Sequence, residues 1–423
     1  MNNIIIIGGG PCGLTLAWLF AKNNINVTLI DKNSSLGGCH RVTRQNNLFS
    51  EHGPRVYINN FKNFMWLLND LGMDFNKLFI PYKCDKNKSI ITIIKKLNIN
   101  EFYHLSKAFI FLNKNYNNIT MEEWLNKNKF RENIIYDFDY LCRIVDGGGI
   151  DKFTLYNFIQ ILNYNIFYKI YQPNKPNDKG FIKKWEKKLK EKNVKIIKNT
   201  NITKINIYNN NIQSIIGNNI EYKADKYIMA IPPEQMALLL NDNKLTNWSK
   251  LTNYYDSISI TFHWNKKIKV KSNCNSNNNK YGIVFVILSD YMNFNKTVIS
   301  TLITRYDKNK SVEEYKKIIY NYLKSFNKDL PLYDNALLAP YDTAFISTKY
   351  NYIPFDTKYN NLYNCGTHNG YSDFPFTTIE SAVVNAISLS NKILLKKYPI
   401  KHIFTLYHFF IIIIIILLIY LKN

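Results

Sequence analysis

The hydrophobic residues of this chain come in short runs, separated by stretches in which apolar positions recur at helical spacing. Residues 4–7 are four consecutive isoleucines, which suit a strand buried on both faces of a parallel sheet. Apolar residues at 14, 17 and 18 then follow helical spacing, and residues 27–30 form a second short apolar run. Strand, helix and strand in this order predict a βαβ unit at the start of an α/β fold.

Later parts of the chain carry further periodic signals. Apolar residues between 60 and 75 recur at helical spacing, and residues 254–350 mix strand-like pieces with one helix at 312–324. Between these parts, four short apolar runs predict strands at 194–197, 202–207, 212–216 and 227–231. Near the end, Thr377 and Glu380 have the spacing of a capping box, which predicts the start of a final helix.

A glycine-rich loop follows the first predicted strand. Gly8, Gly10 and Gly13 fill a G-x-G-x-x-G frame. In such a loop the first glycine makes a tight turn, the second leaves room for a pyrophosphate, and the third lets the helix pack on the strand. Asp31, at the end of the second apolar run, stands where an acid accepts hydrogen bonds from ribose hydroxyls. The loop therefore predicts dinucleotide binding rather than a plain structural turn.

Composition narrows the class of protein. The 423 residues are enough for two domains, and a hydrophobic content of 46% excludes a disordered chain. The net charge is +24, but the basic residues are spread along the chain without a compact basic and aromatic patch, so we predict no nucleic-acid partner. The six cysteines form no C-x-x-C pair and no metal-ligand spacing with the seven histidines, which predicts no metal site.

The chain ends on a long apolar stretch. Residues 403–421 carry no charged side chain and include six consecutive isoleucines at 411–416. A helix needs about 20 apolar residues to cross a bilayer core, so we predict a single-pass transmembrane tail anchor over residues 402–421. Three lysines lie just before the stretch and one follows it. The positive-inside bias then places the rest of the protein on the cytoplasmic side of the membrane.

Three separated segments resemble motifs of the flavin-containing amine oxidase superfamily, which includes monoamine and polyamine oxidases, protoporphyrinogen oxidase and carotenoid desaturases. The first segment is the glycine loop with a second glycine pair at 37–38. The second is the group of predicted strands that ends at residues 230–233. The third, residues 362–386, is similar to the family's closing motif of strand, turn and helix.

The resemblance implies an α/β fold, with a discontinuous Rossmann-like FAD-binding domain and an α+β substrate domain, to which the sequence adds the C-terminal transmembrane helix. The FAD-binding domain would comprise residues 1–80, 176–240 and 356–398. The substrate domain would have a helical part at 81–175 and a sheet part at 241–355, and the tail anchor would follow at 402–421.

The second glycine pair implies FAD as the cofactor, because NAD sites of the simple Rossmann type do not need it. The residues implied to contact FAD are Gly8, Gly10, Pro11, Cys12, Gly13, Asp31, Lys32, Gly38, Arg41, Ile202, Gly366, Thr367, Thr378 and Ile379. The sequence departs from the family at two points: two residues separate the second glycine pair from Arg41, and Thr367 replaces the usual acid. The start of the closing helix would face the pyrimidine end of the flavin and favour its reduced form.

Few polar residues suit an active site. Residues 51–57 resemble the family's Gly-Pro turn near the flavin ring, and also the Gly-Pro-His turn of UDP-galactopyranose mutases, which share the FAD fold. Read without the resemblance, the segment is a charged surface turn. We nominate three polar side chains as catalytic candidates: His52 and Arg55 in this segment, and His368 in the closing motif.

The resemblance implies an FAD-dependent oxidoreductase that removes a hydride from a C–N or C–C bond of a small molecule and is re-oxidised by oxygen or another acceptor. The predicted anchor favours a lipophilic substrate. One alternative is a mutase-like flavoenzyme, in which two arginines such as Arg143 and Arg305 would bind a diphosphate. Another is a catalytically degenerate flavoprotein that serves as a membrane-tethered binding module.

Overall fold

The structure is a computed structural model, and it describes residues 3–82, 90–164, 168–240, 252–255, 257–270, 279–339, 344–348, 352–374 and 377–422. The helices are α1 (Pro11–Lys22), α2 (Lys62–Asp70), α3 (Phe75–Leu78), α4 (Ile90–Ile94), α5 (Ile99–Ile110), α6 (Met121–Lys127), α7 (Glu132–Asp146), α8 (Leu155–Tyr164), α9 (Phe181–Glu191), α10 (Pro233–Leu240), α11 (Val312–Phe326), α12 (Ile379–Leu394) and α13 (Leu406–Lys422).

The strands are β1 (Asn3–Ile7), β2 (Asn26–Ile30), β3 (Val42–Gln45), β4 (Leu48–Glu51), β5 (Tyr57–Ile58), β6 (Phe79–Pro81), β7 (Ile170–Pro173), β8 (Lys195–Ile197), β9 (Ile202–Tyr208), β10 (Asn211–Gly217), β11 (Ile220–Tyr222), β12 (Lys226–Met229), β13 (Thr252–Tyr255), β14 (Ile258–Trp264), β15 (Ile283–Ile287), β16 (Thr297–Ile303), β17 (Asn335–Leu338), β18 (Ala344–Thr348) and β19 (Leu362–Asn364). Short 3₁₀ helices lie at Gly38–His40, Lys114–Asn118, Leu288–Asp290 and Thr367–Asn369.

A five-stranded parallel sheet with strand order β19-β12-β1-β2-β8 forms the Rossmann-like domain. Its strands come from the start, the middle and the end of the chain. In one row of the sheet Ile7 pairs with Met229, and Met229 pairs with Asn364. The carboxyl ends of β1, β12 and β19 therefore meet at one edge, which is where open α/β sheets bind ligands.

Two helices from opposite ends of the chain pack on this sheet. The apolar side chains of α1 and α12 share one core cluster, and α2 packs against α12 as well. The isoleucines of β1 are buried, as predicted for a strand covered on both faces. Because α1 follows β1 and α12 follows β19, this packing brings the glycine loop close to the closing motif.

The predicted capping box at Thr377 and Glu380 is wrong. Thr378 caps α12 instead, by accepting a hydrogen bond from the Ser381 amide at 3.0 Å. The Glu380 carboxylate turns away and accepts three hydrogen bonds at the start of α2, from Asn63 N (2.9 Å), Asn63 Nδ2 (2.7 Å) and the backbone N of the next residue (2.8 Å). The reason is that α2 presents unsatisfied amides there, which a carboxylate satisfies well.

The other described sheets are antiparallel. Strands β15-β16-β14-β17 form a four-stranded sheet that packs against α11, as the mixed pattern at 254–350 predicts. Strands β9, β10 and β11 form a three-stranded sheet beside the parallel one. The four-stranded sheet meets β4 through a hydrogen bond of 2.9 Å between Ser50 Oγ and Thr261 Oγ1, and Ser259 Oγ donates to Glu51 O at 3.0 Å. These bonds hold the end of β4 against the four-stranded sheet.

The structure of the apolar C-terminal segment differs from the transmembrane helix predicted for it. The helix α13 begins at Leu406 and has 17 residues. The residues before it are held by the body of the protein: Lys401 N donates to Asn63 Oδ1 at 2.8 Å, and Thr405 is buried. Over the described parts of the chain, no helix has both the length and the apolarity needed to cross a bilayer. The predicted transmembrane helix at 402–421 is thus not supported, nor is the tail anchor that depends on it.

Candidate active site

The glycine loop after β1 makes the close approaches that its sequence predicts. Gly8 has a φ of 106°, and a Cβ added there would lie 2.4 Å from the Ala230 carbonyl oxygen. A Cβ added at Gly13 would lie 1.9 Å from the Gly8 carbonyl oxygen. Neither position tolerates a side chain, because contacts this short displace backbone. The two glycines therefore fix the turn and its packing against α1.

The second glycine pair folds onto this loop. Gly37 N donates a hydrogen bond to Gly9 O at 2.8 Å, and Gly38 has a φ of 55°. A Cβ at Gly38 would lie 3.0 Å from the Cα of Gly10, whereas a Cβ at Gly10 would meet its nearest protein atom at 3.7 Å. Arg41 folds back so that its Nη1 donates to Gly38 O at 3.3 Å. The structure thus brings Arg41 to the second glycine pair despite the two extra residues.

The two loops, residues 8–13 and 37–38, pack together at the start of α1, and we call them the cradle. Pro11 occupies the first helical position, where the missing N–H costs nothing. The amides of Cys12 and Gly13 belong to the first turn, whose N–H groups have no carbonyl partner within the helix. A helix start without an acid in its first turn favours a phosphate ligand, so the cradle fits a pyrophosphate.

Asp31 is held at the edge of the cradle. Its Oδ2 accepts a hydrogen bond from Gly9 N at 2.6 Å, and its Oδ1 accepts one from Asn33 N at 2.7 Å. Asn33 Nδ2 also donates to Oδ1, at 3.0 Å. A carboxylate has about four acceptor positions, so this one retains about one for a hydroxyl group. Its geometry fits the predicted ribose contact. The neighbouring Lys32 is exposed, with its side chain in solvent.

The closing motif reaches the same edge of the sheet. Cys365 N donates to Met229 O at 2.9 Å, directly beyond the last paired residue of β19. Gly366 N then donates to Asn369 Oδ1 at 2.7 Å, which winds the chain into a 3₁₀ turn that begins at Thr367. Gly366 and Thr367 are partly exposed at this edge. The turn therefore lies at the same edge of the sheet as the glycine loop, and the cofactor contacts of Gly366 and Thr367 stay a prediction.

Three further predicted contact residues lie at the starts of elements. Thr378 and Ile379 form the start of α12, where the first-turn amides meet the cap. Ile202 begins β9 and is buried in one core cluster with Ile7 and Ile30. Ile202 thus lies close to the carboxyl ends of β1 and β2, and its contact with the cofactor stays a prediction.

His368 lies in the interior behind the closing turn. Its Nε2 is 2.9 Å from Asn364 Oδ1, and a Cβ added at Gly366 would lie 2.5 Å from its Cε1. Burial lowers the pKa of His368 to about 3, so the ring is neutral at physiological pH. The catalytic role given to His368 stays a prediction, and this packing favours a positioning role for the ring.

A buried polar cluster lies beyond Gly38, and we call it the Arg55 cluster; its members are His40, Glu51, His52, Arg55 and Tyr57. His40 Nδ1 is 2.9 Å from the Tyr57 hydroxyl. Burial and the positive charge of Arg55 hold the pKa of His40 well below its usual value. Among the described residues, the buried Nε and Nη2 atoms of Arg55 have no hydrogen-bond partner. Arg55 as a residue is partly exposed. Two buried guanidinium nitrogens without a partner are still costly, which points to a polar or anionic ligand.

The acid of this cluster was missed by the sequence-based assignment. Glu51 ends β4 and is buried, and Asn177 N donates to its Oε1 at 3.0 Å. Burial raises the pKa of Glu51 to about 7, in spite of that hydrogen bond and of the nearby Arg55. The available signal was an acid directly after an apolar strand and next to the Gly-Pro turn. A carboxyl that titrates near neutral pH is suited to proton transfer.

Glu51 is expected to make stability depend on pH. Its folded pKa of about 7 lies above the ordinary 4.5, so the folded protein keeps a proton that the unfolded chain releases. The contribution is fully present below about pH 4.5 and is lost as the pH rises through 7, a change of about 3 kcal/mol. Urea unfolding at pH 5 and pH 8 measures it. The free energy of unfolding should fall less between pH 5 and pH 8 in the Glu51→Gln variant than in the wild type. The control Glu132→Gln, at an exposed position, should behave as the wild type does. An equal fall in all three proteins would contradict the pKa assigned to Glu51.

Arg143 and Arg305, the arginines that a mutase-like enzyme would use to bind a diphosphate, do lie close together. Both of them are paired with Asp139. Arg143 Nε lies 2.9 Å and Arg305 Nη2 lies 2.7 Å from the same oxygen of Asp139. Arg305 also lies over the Tyr136 ring, 4.5 Å from its centroid. Although burial opposes it, the two arginines lower the pKa of Asp139, so the acid is ionised and partly neutralises them. No observation in this cluster favours diphosphate binding.

The comparisons with known proteins agree with this geometry. Residues 6–71 match the family pattern described as an NAD(P)-binding Rossmann-like domain. No curated protein matches the sequence. Among solved structures, a proposed protoporphyrinogen oxidase from Exiguobacterium sp. 255-15 aligns with a TM-score of 0.68 at 14% identity, over 94% of this chain and 99% of that one.

Two amine-oxidising enzymes have similar structures. Putrescine oxidase bound to putrescine aligns with a TM-score of 0.70 at 11% identity, over 93% of this chain and 99% of that one. Cyclohexylamine oxidase from Brevibacterium oxydans IH-35A gives 0.69 at 10% identity, with the same two coverages. The chain therefore has a Rossmann-like α/β fold of the kind found in flavin amine oxidases. The resemblance seen in the sequence is confirmed at the level of the fold.

Proposed function

We propose that the protein is an FAD-dependent oxidoreductase that takes a hydride from a C–N or C–C bond of a small molecule. The observation that carries this proposal is the meeting of the cradle, Asp31 and the closing turn at one edge of the parallel sheet. Bound FAD would supply the hydride acceptor, to be re-oxidised by oxygen or another acceptor.

Each part of the site suits a different part of FAD. The cradle at the start of α1 would hold the pyrophosphate, because its amides and its lack of side chains suit an anion. Asp31 would bind ribose hydroxyls, and Arg41 would add a cation next to Gly38. The start of α12, at Thr378, would face the pyrimidine end of the ring, where its amides favour negative charge.

The Arg55 cluster suits the reaction region. It follows the second glycine pair through the 3₁₀ turn Gly38–His40, and the Arg55 guanidinium has unsatisfied buried N–H groups among the described residues. Arg55 would stabilise negative charge that develops during hydride removal or on the substrate. Glu51, with a pKa of about 7, would hold or release a proton beside it. His52 shares the same turn and stays a candidate.

The substrate class can be identified by testing which compounds reduce the bound flavin. The lipophilic-substrate interpretation depended on a membrane-spanning tail, which the described residues do not support. The purified protein with FAD should therefore be mixed anaerobically with two panels, alkyl amines and polyamines in one, and reduced tetrapyrroles and polyenes in the other. Bleaching of the flavin band by one panel supports the proposal and names the class. A flavoprotein that no member of either panel bleaches would support the degenerate binding module instead.

Arg55 is expected to matter for the rate of this bleaching. Arg55→Ala should slow anaerobic reduction by roughly 10²-fold, the usual effect of removing one electrostatic contact to developing charge. The matched control is Arg44→Ala, because Arg44 is nearby but already paired with Asp178 at 2.6 Å and 2.8 Å. Stopped-flow spectroscopy measures both. Rates for Arg55→Ala within about twofold of the wild type would remove Arg55 from the reaction region.

A further inference from the structure

The helix α5 presents apolar side chains to the outside of the protein as well as to its core. Its exposed apolar and aromatic residues recur at i, i+3, i+4 and i+11, so they share one outer face: Ile99, Phe102, Tyr103 and Ile110. The inner face is buried in the core through Leu105 and Phe109. A surface helix of a globular protein usually turns polar residues outward, so the outer face of α5 is unusual.

The C-terminal helix α13 continues this apolar surface. Tyr407 N donates to Asn163 Oδ1 on α8 at 2.9 Å, which holds the start of α13 on the body of the protein. Beyond it, the Phe410 ring lies 5.9 Å from the ring of Phe109 on α5, measured between centroids. The two helices are therefore neighbours. We call the outer face of α5 (Ile99, Phe102, Tyr103 and Ile110) together with residues 409–412 of α13 the apolar platform.

The exposure of α13 indicates what covers the apolar platform. Residues 409–412 are consecutive, and their exposed fractions all lie between 39% and 46%. Because a helix has about 3.6 residues per turn, these four side chains point to every side of it. A protein partner covers one face of a helix, whereas the acyl chains of a bilayer surround it. The geometry therefore favours lipid over a second protein surface.

The charges beside the apolar platform suit anionic lipid. Glu101 is the single acid in the sequences of α5 and α13, and it is buried and paired with Arg131 at 2.8 Å. The Lys107 Nζ lies 5.9 Å from the centroid of the Tyr103 ring, at the edge of the outer face. Lys401 is exposed shortly before α13, and the whole chain carries a net charge of +24. Positive charge beside an exposed apolar surface attracts anionic headgroups.

We propose that the apolar platform binds the surface of a bilayer that contains anionic lipid. Residues 409–412 would lie among the acyl chains of one leaflet, and the outer face of α5 would lie at the level of the headgroups, where aromatic side chains such as Tyr103 are favoured. This attachment needs no helix that crosses the bilayer, so it differs from the transmembrane anchor predicted from the sequence. It also does not depend on FAD or on the proposed reaction.

Flotation with vesicles tests the apolar platform. The full chain is synthesised in a cell-free reaction that contains preformed vesicles, either of phosphatidylcholine alone or of phosphatidylcholine with phosphatidylserine, and the vesicles are floated through a density gradient. We expect most of the protein to float with the vesicles that contain phosphatidylserine, and a smaller share with phosphatidylcholine alone. Equal flotation with both would overturn the role given to anionic lipid. Absence from both floating fractions would overturn the proposal.

A double variant of α5 separates the apolar platform from a contact made by α13 alone. Phe102→Glu combined with Tyr103→Glu places two carboxylates on the outer face and should lower the partition into vesicles about tenfold or more. The matched control is Leu332→Glu, at an exposed position outside both helices, which should float as the wild type does. Unchanged flotation of the double variant would overturn the part given to α5.

Self-association is the competing outcome. If the wild type forms an oligomer without vesicles and does not float, and the double variant is a monomer, then the apolar platform joins copies of this chain and the lipid proposal is wrong. Melting temperatures show whether the double variant and the control are folded. The comparison of the two kinds of vesicle uses the wild-type chain, so it stands even if a variant fails to fold.

Discussion

Gly10→Ala is expected to lower the affinity for FAD by about 100-fold or more, about 2.7 kcal/mol, and to leave the folded apoprotein intact. Gly10 has extended backbone angles that alanine adopts readily, and a Cβ there meets its nearest protein atom at an ordinary 3.7 Å. The added methyl group would instead project into the cradle, where a pyrophosphate must approach the backbone closely. Titration with FAD, followed by flavin fluorescence, gives the affinity, and the melting temperature of the apoprotein gives the stability.

Two other glycines are controls for Gly10. Gly13→Ala should lower both stability and FAD binding, because its Cβ would lie 1.9 Å from the Gly8 carbonyl oxygen. Gly72→Ala lies outside the cradle in open space, with a φ of 70°, so it should cost some stability through backbone strain and leave FAD affinity unchanged. If Gly10→Ala bound FAD as tightly as the wild type, the cradle would not be the pyrophosphate site.

Glu380→Ala is expected to cost about 3–5 kcal/mol of stability, because each buried N–H donor left without an acceptor costs about 1–3 kcal/mol. The substitution leaves three donors at the start of α2 without an acceptor, two from Asn63 and one from Phe64. The same asparagine also binds Lys401 N and O, so the segment before α13 should loosen with it. Urea unfolding gives the midpoint, and hydrogen exchange should show faster exchange in α2.

The size of this effect is checked against two milder changes. Glu380→Gln keeps one acceptor oxygen, so it should lose less than the alanine variant. Glu314→Ala removes an exposed capping-box glutamate at the start of α11 and should cost about 1 kcal/mol or less. A loss at Glu380→Ala no larger than at Glu314→Ala would show that the contact between α12 and α2 contributes little.

Much of the fold could be predicted from local sequence, because its signals are local. Four isoleucines before a glycine loop specify a buried strand and its turn, and the helix predicted at 312–324 is observed as Val312–Phe326. The capping box at Thr377 failed because spacing alone does not show which helix start a carboxylate reaches. Glu380 satisfies a helix that lies more than three hundred residues earlier in the chain.

The cradle of the candidate site could be predicted from the sequence. The Arg55 cluster, which we propose as the reaction region, could be predicted less well. Glycine spacing encodes close backbone approach, and the structure reproduces that approach at Gly8 and Gly13. The role proposed for Glu51 depends on burial and on a contact with the distant Asn177, which no local pattern records. The tail shows the same limit, because the hydropathy of residues 402–421 does not reveal that the chain before Leu406 is bound to Asn63.

Capture of the cofactor tests the central claim most directly. The full chain is purified, its visible spectrum is recorded, and any released cofactor is identified by chromatography and mass spectrometry. The expected result is a protein that carries FAD, or that binds added FAD and then shows the visible absorption of a bound flavin. A colourless protein that does not bind added FAD, although it is folded, would contradict the proposed function.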